Sequence, residues 1–514
     1  MDVKISDRGP VDDRELDTLE QEVLPRVLSE RGLDVATYSG YSYIRPKRVG
    51  MDAGRLCVFG AGQEIGFLLM VDNGTDQEAT ATFQVSVRNG GGAAVAETTA
   101  FEVVSPPRGR ATRRICFSLE RNGIYTLSYR ARTAQRVFEG KVGFAVVPPE
   151  DPQIAAASPL GLHAGHCRLL QAANMQWARN GQLVFAEQLS DRENRDWNTF
   201  EHVLHTAQRH RITLIPVIQC NPTKAWHARP LKDYTRFEAY VRDLVGAFKD
   251  RQKIWEIVNE PNHEQFSPEQ YVEALEAGYR GAKQADPDCT LVMGGTGCTD
   301  MMDFIRQLGE RGVAKFCDVV SMHPYSFDAP PEDEMCSKVT QFRAWRDANA
   351  PGKPMWSTEI SWKTNQEPLV DQPTLRDYIV RSTVLQLALG QEVVLWCPGS
   401  DRPWDWPWTF SGLYEVDFTP KETYVALAAL SRLLSGKQCL GRVERGEGVF
   451  AFAFEGRGEH VEALWVPDGS ARQIDVTLPN PCVLLDVCAN PFLECPAGQV
   501  AVPLGPTPVF LLEQ

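Results

Sequence analysis

The chain has 514 residues, of which 43% are hydrophobic and 23% are charged, and its formal net charge is −14 at pH 7. This composition is typical of a globular protein long enough for several domains. The negative charge argues against a nucleic-acid partner, because phosphate binding needs concentrated Lys and Arg. No apolar run is long enough to cross a bilayer, so we expect no membrane span.

The N-terminal residues and the cysteines indicate in which cellular compartment we expect the protein. Residues 1–7 lack the apolar core of a signal peptide, so we expect a cytoplasmic protein, or a secreted one whose signal lies outside this sequence. The thirteen cysteines are scattered without a Cys-x-x-Cys pair, a pattern typical of reduced, buried thiols. Disulfides among Cys482, Cys488 and Cys495 stay open.

The first part of the chain divides into a helical lead-in and a β region. Residues 1–45 carry apolar side chains near helical spacing and predict a helical lead-in. Residues 46–150 instead show short alternating strands separated by Gly-rich turns, which predicts an N-terminal β-sandwich. The clearest candidate strands are 65–71, 81–87, 113–119, 123–129 and 142–147.

Strand and helix patterns alternate from residue 151 to residue 435. The candidate strands are 160–163, 175–179, 213–218, 254–259, 290–294, 318–323, 354–359 and 392–396. Eight such units predict an α/β fold of the (β/α)₈ TIM-barrel type. A doubly wound open sheet is the alternative, but the first strand is followed by no Gly-rich phosphate turn. Residues 436–514 return to a strand pattern and predict a small C-terminal β domain.

Two acidic residues end the fourth and seventh candidate strands. Residues 254–261 read Ile-Trp-Glu-Ile-Val-Asn-Glu-Pro, and Pro261 cannot continue a strand, so Glu260 stands at the strand end. Glu359 stands at the end of strand seven. In a closed barrel these strands face each other across the mouth, so the two carboxylates converge over one cavity. Paired carboxylates suit glycoside hydrolysis: a gap of roughly 5–5.5 Å implies retention and a wider gap implies inversion.

Asn259-Glu260-Pro261, together with Glu359, resembles clan A of the glycoside hydrolases over residues 158–435. The resemblance implies a retaining β-glycoside hydrolase that acts on a β-linked oligo- or polysaccharide without a cofactor. Glu260 would be the acid/base, Glu359 the nucleophile, and Asn259 a hydrogen-bonding partner of the sugar 2-hydroxyl. The β regions on both sides make the layout look most like family 39 and related bacterial exopolysaccharide hydrolases. Strand three ends Gln-Cys-Asn-Pro at 219–222, unlike many relatives, which leaves the substrate open.

The same resemblance assigns four supporting residues. Arg179 matches an arginine that keeps the nucleophile ionised, and Tyr325 matches a tyrosine that contacts the nucleophile. His323 belongs to the same His-x-Tyr motif, and Trp396 matches a tryptophan that forms the floor of the sugar subsite. We expect the cation to lower the pKa of Glu359 and apolar burial to raise the pKa of Glu260. A surface ion pair for Arg179 and a rim position for His323 are the alternatives.

Further candidates for sugar contact come from the residues after the strands. His163 ends strand one, and Trp362, Trp404 and Trp406 lie on loops where indoles can stack on sugar faces. A structural plug is the alternative for the loop with Trp404 and Trp406. His163 and His166 have no third partner in view, so we expect no metal site. Residues 294–297, Gly-Gly-Thr-Gly, lack a phosphate-loop ending and predict a turn.

Two other functions stay open at this point. A transglycosylase would use the same covalent intermediate and pass the sugar to a hydroxyl other than water. A non-catalytic carbohydrate-binding barrel would keep the cavity without the reaction. In each case the expected partner is a carbohydrate, and the sequence does not indicate an oligomeric state.

Overall fold

The computed structural model describes residues 42–46 and 57–513, apart from 98–99, 135–136, 222–227, 264–265, 298–299, 328, 365–369, 402–409 and 416–417. The chain forms two compact units. One comprises residues up to 149 with 414–425, and the other comprises 150–413 with 426–514. Most of the predicted lead-in helix lies outside the described residues. Its last part was predicted wrongly, because residues 42–46 form a strand that pairs antiparallel with residues 67–71.

The first unit contains two sheets with a common apolar core. One sheet has the order β1-β3-β7, and the other has the order β2-β9-β8-β4-β5 with β6 also paired to β4. Every second residue of β4 from Ala81 to Val87 is buried, which is the period expected for a strand with one face on a core. The strands are β1 Ser42–Pro46, β2 Val58–Gly60, β3 Glu64–Asp72, β4 Ala79–Asn89, β5 Ala94–Glu97, β6 Phe101–Ser105, β7 Arg110–Ser118, β8 Gly123–Arg132 and β9 Val137–Val147.

The second unit begins with a closed parallel barrel, which confirms the predicted (β/α)₈ fold. Barrel strands two and three are each interrupted, at Gly181 and at Pro216, because Gly181 has a φ of 84° and Pro216 has no N–H to donate. Closure comes from pairing of the eighth strand with the first. The barrel strands are β10 Leu160–His163, β11 Trp177–Arg179 with β12 Gln182–Phe185, β13 Thr213–Leu214 with β14 Val217–Cys220, β15 Ile254–Ile257, β16 Thr290–Met293, β17 Val320–Met322, β18 Met355–Ile360 and β19 Gln391–Trp396.

Helices connect the barrel strands, and their apolar residues face the barrel. In the helix at 235–248 the buried residues include Phe237, Val241, Leu244 and Phe248, which recur at helical spacing. The helices are α1 Pro152–Ala156, α2 Cys167–Ala172, α3 Asp191–Asn194, α4 Asn198–Arg209, α5 Thr235–Phe248, α6 Pro268–Ala285, α7 Met301–Glu310, α8 Glu334–Asn349, α9 Gln372–Ala388 and α10 Glu422–Leu434, with a 3₁₀ turn at Val313–Phe316. Among the described residues, no helix combines the length and apolar character that a membrane crossing requires.

Two antiparallel sheets follow the barrel. A six-stranded sheet has the order β20-β21-β22-β27-β24-β25, and β23 pairs with β26. They share an apolar core that includes Leu464, Leu484 and Val502. The strands are β20 Gln438–Arg442, β21 Phe450–Gly456, β22 Glu459–Trp465, β23 Arg472–Leu478, β24 Cys482–Leu485, β25 Pro491–Cys495, β26 Gly498–Leu504 and β27 Val509–Glu513. Across the described residues no disulfide joins any two cysteines, Cys482, Cys488 and Cys495 included.

Candidate active site

The end of barrel strand four turns sharply to present Glu260. Val258 and Glu260 have φ values of 63° and 44°, a left-handed conformation that costs a β-branched residue such as Val258 about 1–3 kcal/mol. The turn is held because the Glu260 N–H donates to the Gly295 carbonyl at 3.0 Å. A Cβ on Gly294 would lie 1.8 Å from the Val258 carbonyl oxygen, so only glycine permits this close approach. The strain is concentrated where the candidate acid/base sits.

Arg179 lies at the centre of the cavity and uses all five of its N–H groups. Its Nε and Nη2 donate to the two oxygens of Glu256 at 2.6 and 2.8 Å. Nη2 also donates to Asn259 Oδ1 at 2.7 Å, while Nη1 donates to Glu359 Oε1 at 2.5 Å and to His163 Nδ1 at 3.1 Å. Guanidinium has five donors and no acceptor, so Nδ1 of His163 must accept and its proton lies on Nε2. The Asn259 oxygen is likewise occupied, which leaves the Nδ2 amide as the group it offers to a ligand.

Glu359 is held as a carboxylate. Burial raises its pKa, but the Arg179 guanidinium and the Tyr325 hydroxyl hold the pKa well below the ordinary range. The Tyr325 hydroxyl donates to Oε2 at 2.7 Å, opposite the oxygen that Arg179 occupies. Each oxygen of Glu359 therefore has a strong donor, and the ionised form is the one these donors stabilise.

Glu260 is held by two histidines. Oε1 lies 2.8 Å from Nδ1 of His323, and Oε2 lies 3.3 Å from Nδ1 of His263. Burial raises the pKa of Glu260, but the hydrogen bonds from His263 and His323 outweigh it and lower the pKa to about 2. The expectation that burial would leave this pKa raised is therefore wrong, because the groups beside Glu260 are imidazoles rather than apolar side chains. Glu260 is therefore held as a carboxylate.

The glycines of residues 294–297 make room for both imidazoles. A Cβ on Gly295 would lie 2.2 Å from Nε2 of His323, and a Cβ on Gly297 would lie 2.3 Å from Cε1 of His263. The segment was predicted only as a turn. It is the surface against which the two rings beside Glu260 pack, and side chains here would displace them.

The two carboxylates approach each other closely. Glu260, Glu359 and Nδ1 or Nε2 of His323 each offer one atom, and the three atoms lie within 4.8 Å of one another. A second group with the same spacing consists of His163, Glu359 and Cys397. Both sets could ligate a metal in principle, but the guanidinium of Arg179 already occupies Glu359 Oε1 and His163 Nδ1. A second cation there would be repelled by a permanent one, so we assign no metal.

The loop after barrel strand six, residues 323–333, is braced at several points. The Tyr325 carbonyl accepts from Lys338 Nζ at 2.6 Å, and the Ala329 carbonyl accepts from Trp362 Nε1 at 2.9 Å. Glu332 at the loop end accepts from both Arg381 and Trp465, the latter at 2.7 Å. Trp465 belongs to β22, so the sheet after the barrel contributes one hydrogen bond to the loop that carries Tyr325.

The predicted aromatic residues have different outcomes. Trp362 and Trp396 are buried and stack on each other, with ring centroids 5.9 Å apart. Their N–H groups donate to the carbonyls of Ala329 and Ser411. Sugar contact by these two indoles stays a prediction. Trp404 and Trp406 lie outside the described residues.

Sequence reasoning missed three residues of the cavity. Glu256 is fully buried and pairs with Arg179, His263 contacts Glu260, and Cys397 lies beside Glu359 and His163. A signal was available for Glu256, because a charged residue in an otherwise apolar strand needs a buried partner. His263 follows the strand end in a loop, and only the turn at Glu260 brings it back to the carboxylate.

No protein-family model and no curated protein matches the sequence. Solved structures match its fold. A family 39 glycoside hydrolase from the gut symbiont Bacteroides cellulosilyticus WH2 gives a TM-score of 0.68 at 18% sequence identity, covering 92% of this chain and 100% of that one. A GH30 endoxylanase from Clostridium papyrosolvens C71 gives a TM-score of 0.50 at 12% identity, covering 69% of this chain and 96% of that one. The chain thus shares, over almost its whole length, the fold of a family 39 glycoside hydrolase.

Proposed function

We propose that the protein is a retaining β-glycoside hydrolase that cleaves a β-linked oligo- or polysaccharide. The observation that carries the proposal is that one carboxylate oxygen of Glu260 lies within 4.8 Å of one carboxylate oxygen of Glu359, at the ends of strands four and seven of one barrel. An inverting enzyme needs roughly 6.5–9.5 Å between the carboxyl groups to admit a water, whereas roughly 5–5.5 Å suits a covalent intermediate. The β configuration of the substrate rests on the resemblance to clan A enzymes.

Glu260 and Glu359 have different roles in the two steps of the reaction. In the first step Glu359 attacks the anomeric carbon and Glu260 gives a proton to the departing oxygen. In the second step Glu260 takes a proton from water, and the water oxygen displaces Glu359 from the sugar. Arg179 and Tyr325 support this sequence because both stabilise Glu359 as an anion, which is its form as nucleophile and as leaving group. Asn259 would orient the sugar through its Nδ2 amide.

We also infer that the regions flanking the barrel are accessory domains, a β-sandwich before it and a small β domain after it. Each has an apolar core of its own. Neither supplies a residue to the cluster around Glu260 and Glu359, as far as the described residues go. The second contributes the hydrogen bond from Trp465 to Glu332.

Azide rescue tests the proposal. We expect Glu359→Gly to lose roughly 10⁴-fold or more of kcat on an aryl β-glycoside. Azide should then restore turnover and yield the α-glycosyl azide, because it attacks from the face that the nucleophile occupied. Glu260→Ala with azide should yield the β-glycosyl azide, because azide replaces the water of the second step.

The controls separate loss of folding from loss of chemistry. Glu310→Gln, on the exposed end of α7, should keep wild-type turnover. Both active-site variants should keep the wild-type circular dichroism spectrum. The proposal is contradicted if the wild type turns over no substrate in a panel of aryl β-glycosides of hexoses, pentoses and uronic acids with the matching polysaccharides. It is equally contradicted if both variants keep wild-type turnover.

A further inference from the structure

Glu260 poses a chemical problem that the two-step reaction alone does not answer. The first step needs a proton on Glu260, yet the structure holds this residue as a carboxylate between two imidazoles. A neighbouring group that stores a proton and delivers it when the substrate is bound would meet this need. The two histidines are the neighbouring groups that can store it, and the geometry distinguishes between them.

Both ring nitrogens of His323 have a hydrogen-bonding partner. Its Nδ1 lies 2.8 Å from Glu260 Oε1, and its Nε2 lies 3.0 Å from the Thr358 hydroxyl. With the proton on Nδ1, the ring donates to the carboxylate and accepts from the hydroxyl, and both contacts are good. Its side chain has no exposed surface, so the ring does not contact solvent. His323 therefore fixes Oε1 and leaves Oε2 as the oxygen that can carry the acid proton.

His263 faces that second oxygen. Its Nδ1 lies 3.3 Å from Oε2, and its side chain is 32% exposed, compared with 20% for Glu260. Both side chains therefore reach solvent, and the imidazole is the more exposed of the two. Among the described residues, the charged groups that face it are Glu260 and Asp300, both acidic, and together they raise its pKa. A protonated imidazole also offsets part of the negative charge of Glu256, Glu260 and Glu359, against which Arg179 is a single cation.

We propose that His263 is the proton reservoir of the acid/base: it holds the proton in the free enzyme and passes it from Nδ1 to Oε2 of Glu260 when the substrate is bound. The inference rests on the proposed function and deepens it. Glu260 then gives the same proton to the departing oxygen, so His263 is neutral in the covalent intermediate. In the second step Glu260 takes a proton from the attacking water and returns it to His263. One proton goes to the leaving group and one is recovered from water in each turnover. His263 acts through Glu260 and is a positioning residue.

A pH profile of His263→Asn tests the proposal, since the Asn amide can donate to the carboxylate but cannot release a proton. In the wild type, the basic limb of kcat/KM should follow the imidazole. In the variant it should follow Glu260 alone and move to lower pH by about one unit or more, a tenfold or greater loss of kcat/KM at about pH 8. The loss should be larger for poor leaving groups, which need protonation, than for an activated aryl leaving group. An unchanged basic limb would overturn the proposal.

Gly297→Ala gives a second variant that leaves His263 in the chain. The added methyl would lie 2.3 Å from the imidazole Cε1, and the partly exposed ring can move aside at little cost in stability. We expect the same shift of the basic limb as in His263→Asn. The matched control is His205→Asn, an exposed histidine on the outer helix α4, whose profile should equal that of the wild type.

The pKa of His263 can be measured without substrate, so it tests this proposal separately from the proposed function. The chain has nine histidines, so ¹⁵N-histidine labelling with assignment by His263→Asn resolves one ring. The pKa of His263 should fall in Glu260→Gln, because the carboxylate that stabilises the imidazolium is gone. If the wild type cleaves glycosides but the pKa of His263 is the same in the wild type and in Glu260→Gln, the proposal that His263 stores the proton is wrong. The proposed glycoside hydrolase function is then supported on its own. If no glycoside is cleaved but the pKa falls, the proton-sharing pair stands without that reaction.

Discussion

The two carboxylates of the cavity are held by different chemistry. Glu359 is bound by a guanidinium and a phenol, groups whose protonation does not change at ordinary pH. Glu260 is bound by two imidazoles, the one side chain that titrates near neutrality without help. The difference matches the work proposed for each. A nucleophile should keep its charge throughout, whereas an acid/base must gain and lose a proton in every cycle.

Substitution of Arg179, which binds Glu359, should have a larger effect on stability and on kcat/KM than the changes described below. Arg179→Met leaves Glu256 and Glu359 buried without a cation, and such unpaired buried charges cost about 3–5 kcal/mol of unfolding free energy. The pKa of Glu359 should rise, and kcat/KM should fall by roughly 10²–10³-fold or more. Urea unfolding and kinetics measure the two effects. Arg306→Met, which breaks the exposed pair with Glu310, should cost less than about 1 kcal/mol and leave kcat/KM unchanged.

Tyr325→Phe should have a smaller and purely local effect. It removes the 2.7 Å hydrogen bond to Glu359 Oε2 and leaves the ring in place. A hydrogen bond to a charged group contributes about 1.5–3 kcal/mol, so kcat/KM should fall by roughly 10- to 150-fold. The acidic limb of the profile should move to higher pH because the carboxylate has lost a donor, and the basic limb should stay. A shift of the basic limb would contradict the division of labour between the two sides.

The unfolding free energy at acidic pH tests whether the two histidines stabilise the Glu260 carboxylate. The folded-state pKa of Glu260 is lowered from 4.5 to about 2, so the unfolded chain binds the proton more readily in between. The stabilisation is therefore present above about pH 4.5 and is lost as the pH falls toward about 2. In Glu260→Gln this titration is absent. The loss of unfolding free energy between neutral and acidic pH should be smaller in the variant than in the wild type, measured by urea unfolding across that range. Equal losses would show that the histidines do not stabilise the carboxylate.

The sequence predicts the barrel well and the contacts of its cavity less well. Apolar strands such as 290–293 and helices such as α5 follow local periodicity, which is visible in any short window. Register shifts interrupt the pairing of β20 and β24, so the local sequence pattern does not indicate their register. Glu256 and Arg179 lie on different strands, 77 positions apart, and nothing local pairs them. The position of His263 depends on left-handed backbone at Glu260, which no propensity indicates for a glutamate.

The hydrogen bond from Trp465 of the C-terminal sheet to Glu332, in the loop that carries Tyr325, should have the smallest effect on turnover. Trp465→Phe removes the N–H that donates to Glu332 at 2.7 Å while Arg381 keeps its pair with the same carboxylate. We expect a loss of about 1.5–3 kcal/mol of unfolding free energy, because the acceptor is charged and buried. If this hydrogen bond helps to position Tyr325 beside Glu359, its loss should lower kcat a few-fold. The basic limb of the pH profile of kcat/KM should not change, because His263 keeps its position. A shift of the basic limb in Trp465→Phe would show that a change near Tyr325 also alters His263 and Glu260.

Phe452→Leu, on the neighbouring strand and stacked on the same indole, is the matched control, because it loosens the sheet without removing the hydrogen bond.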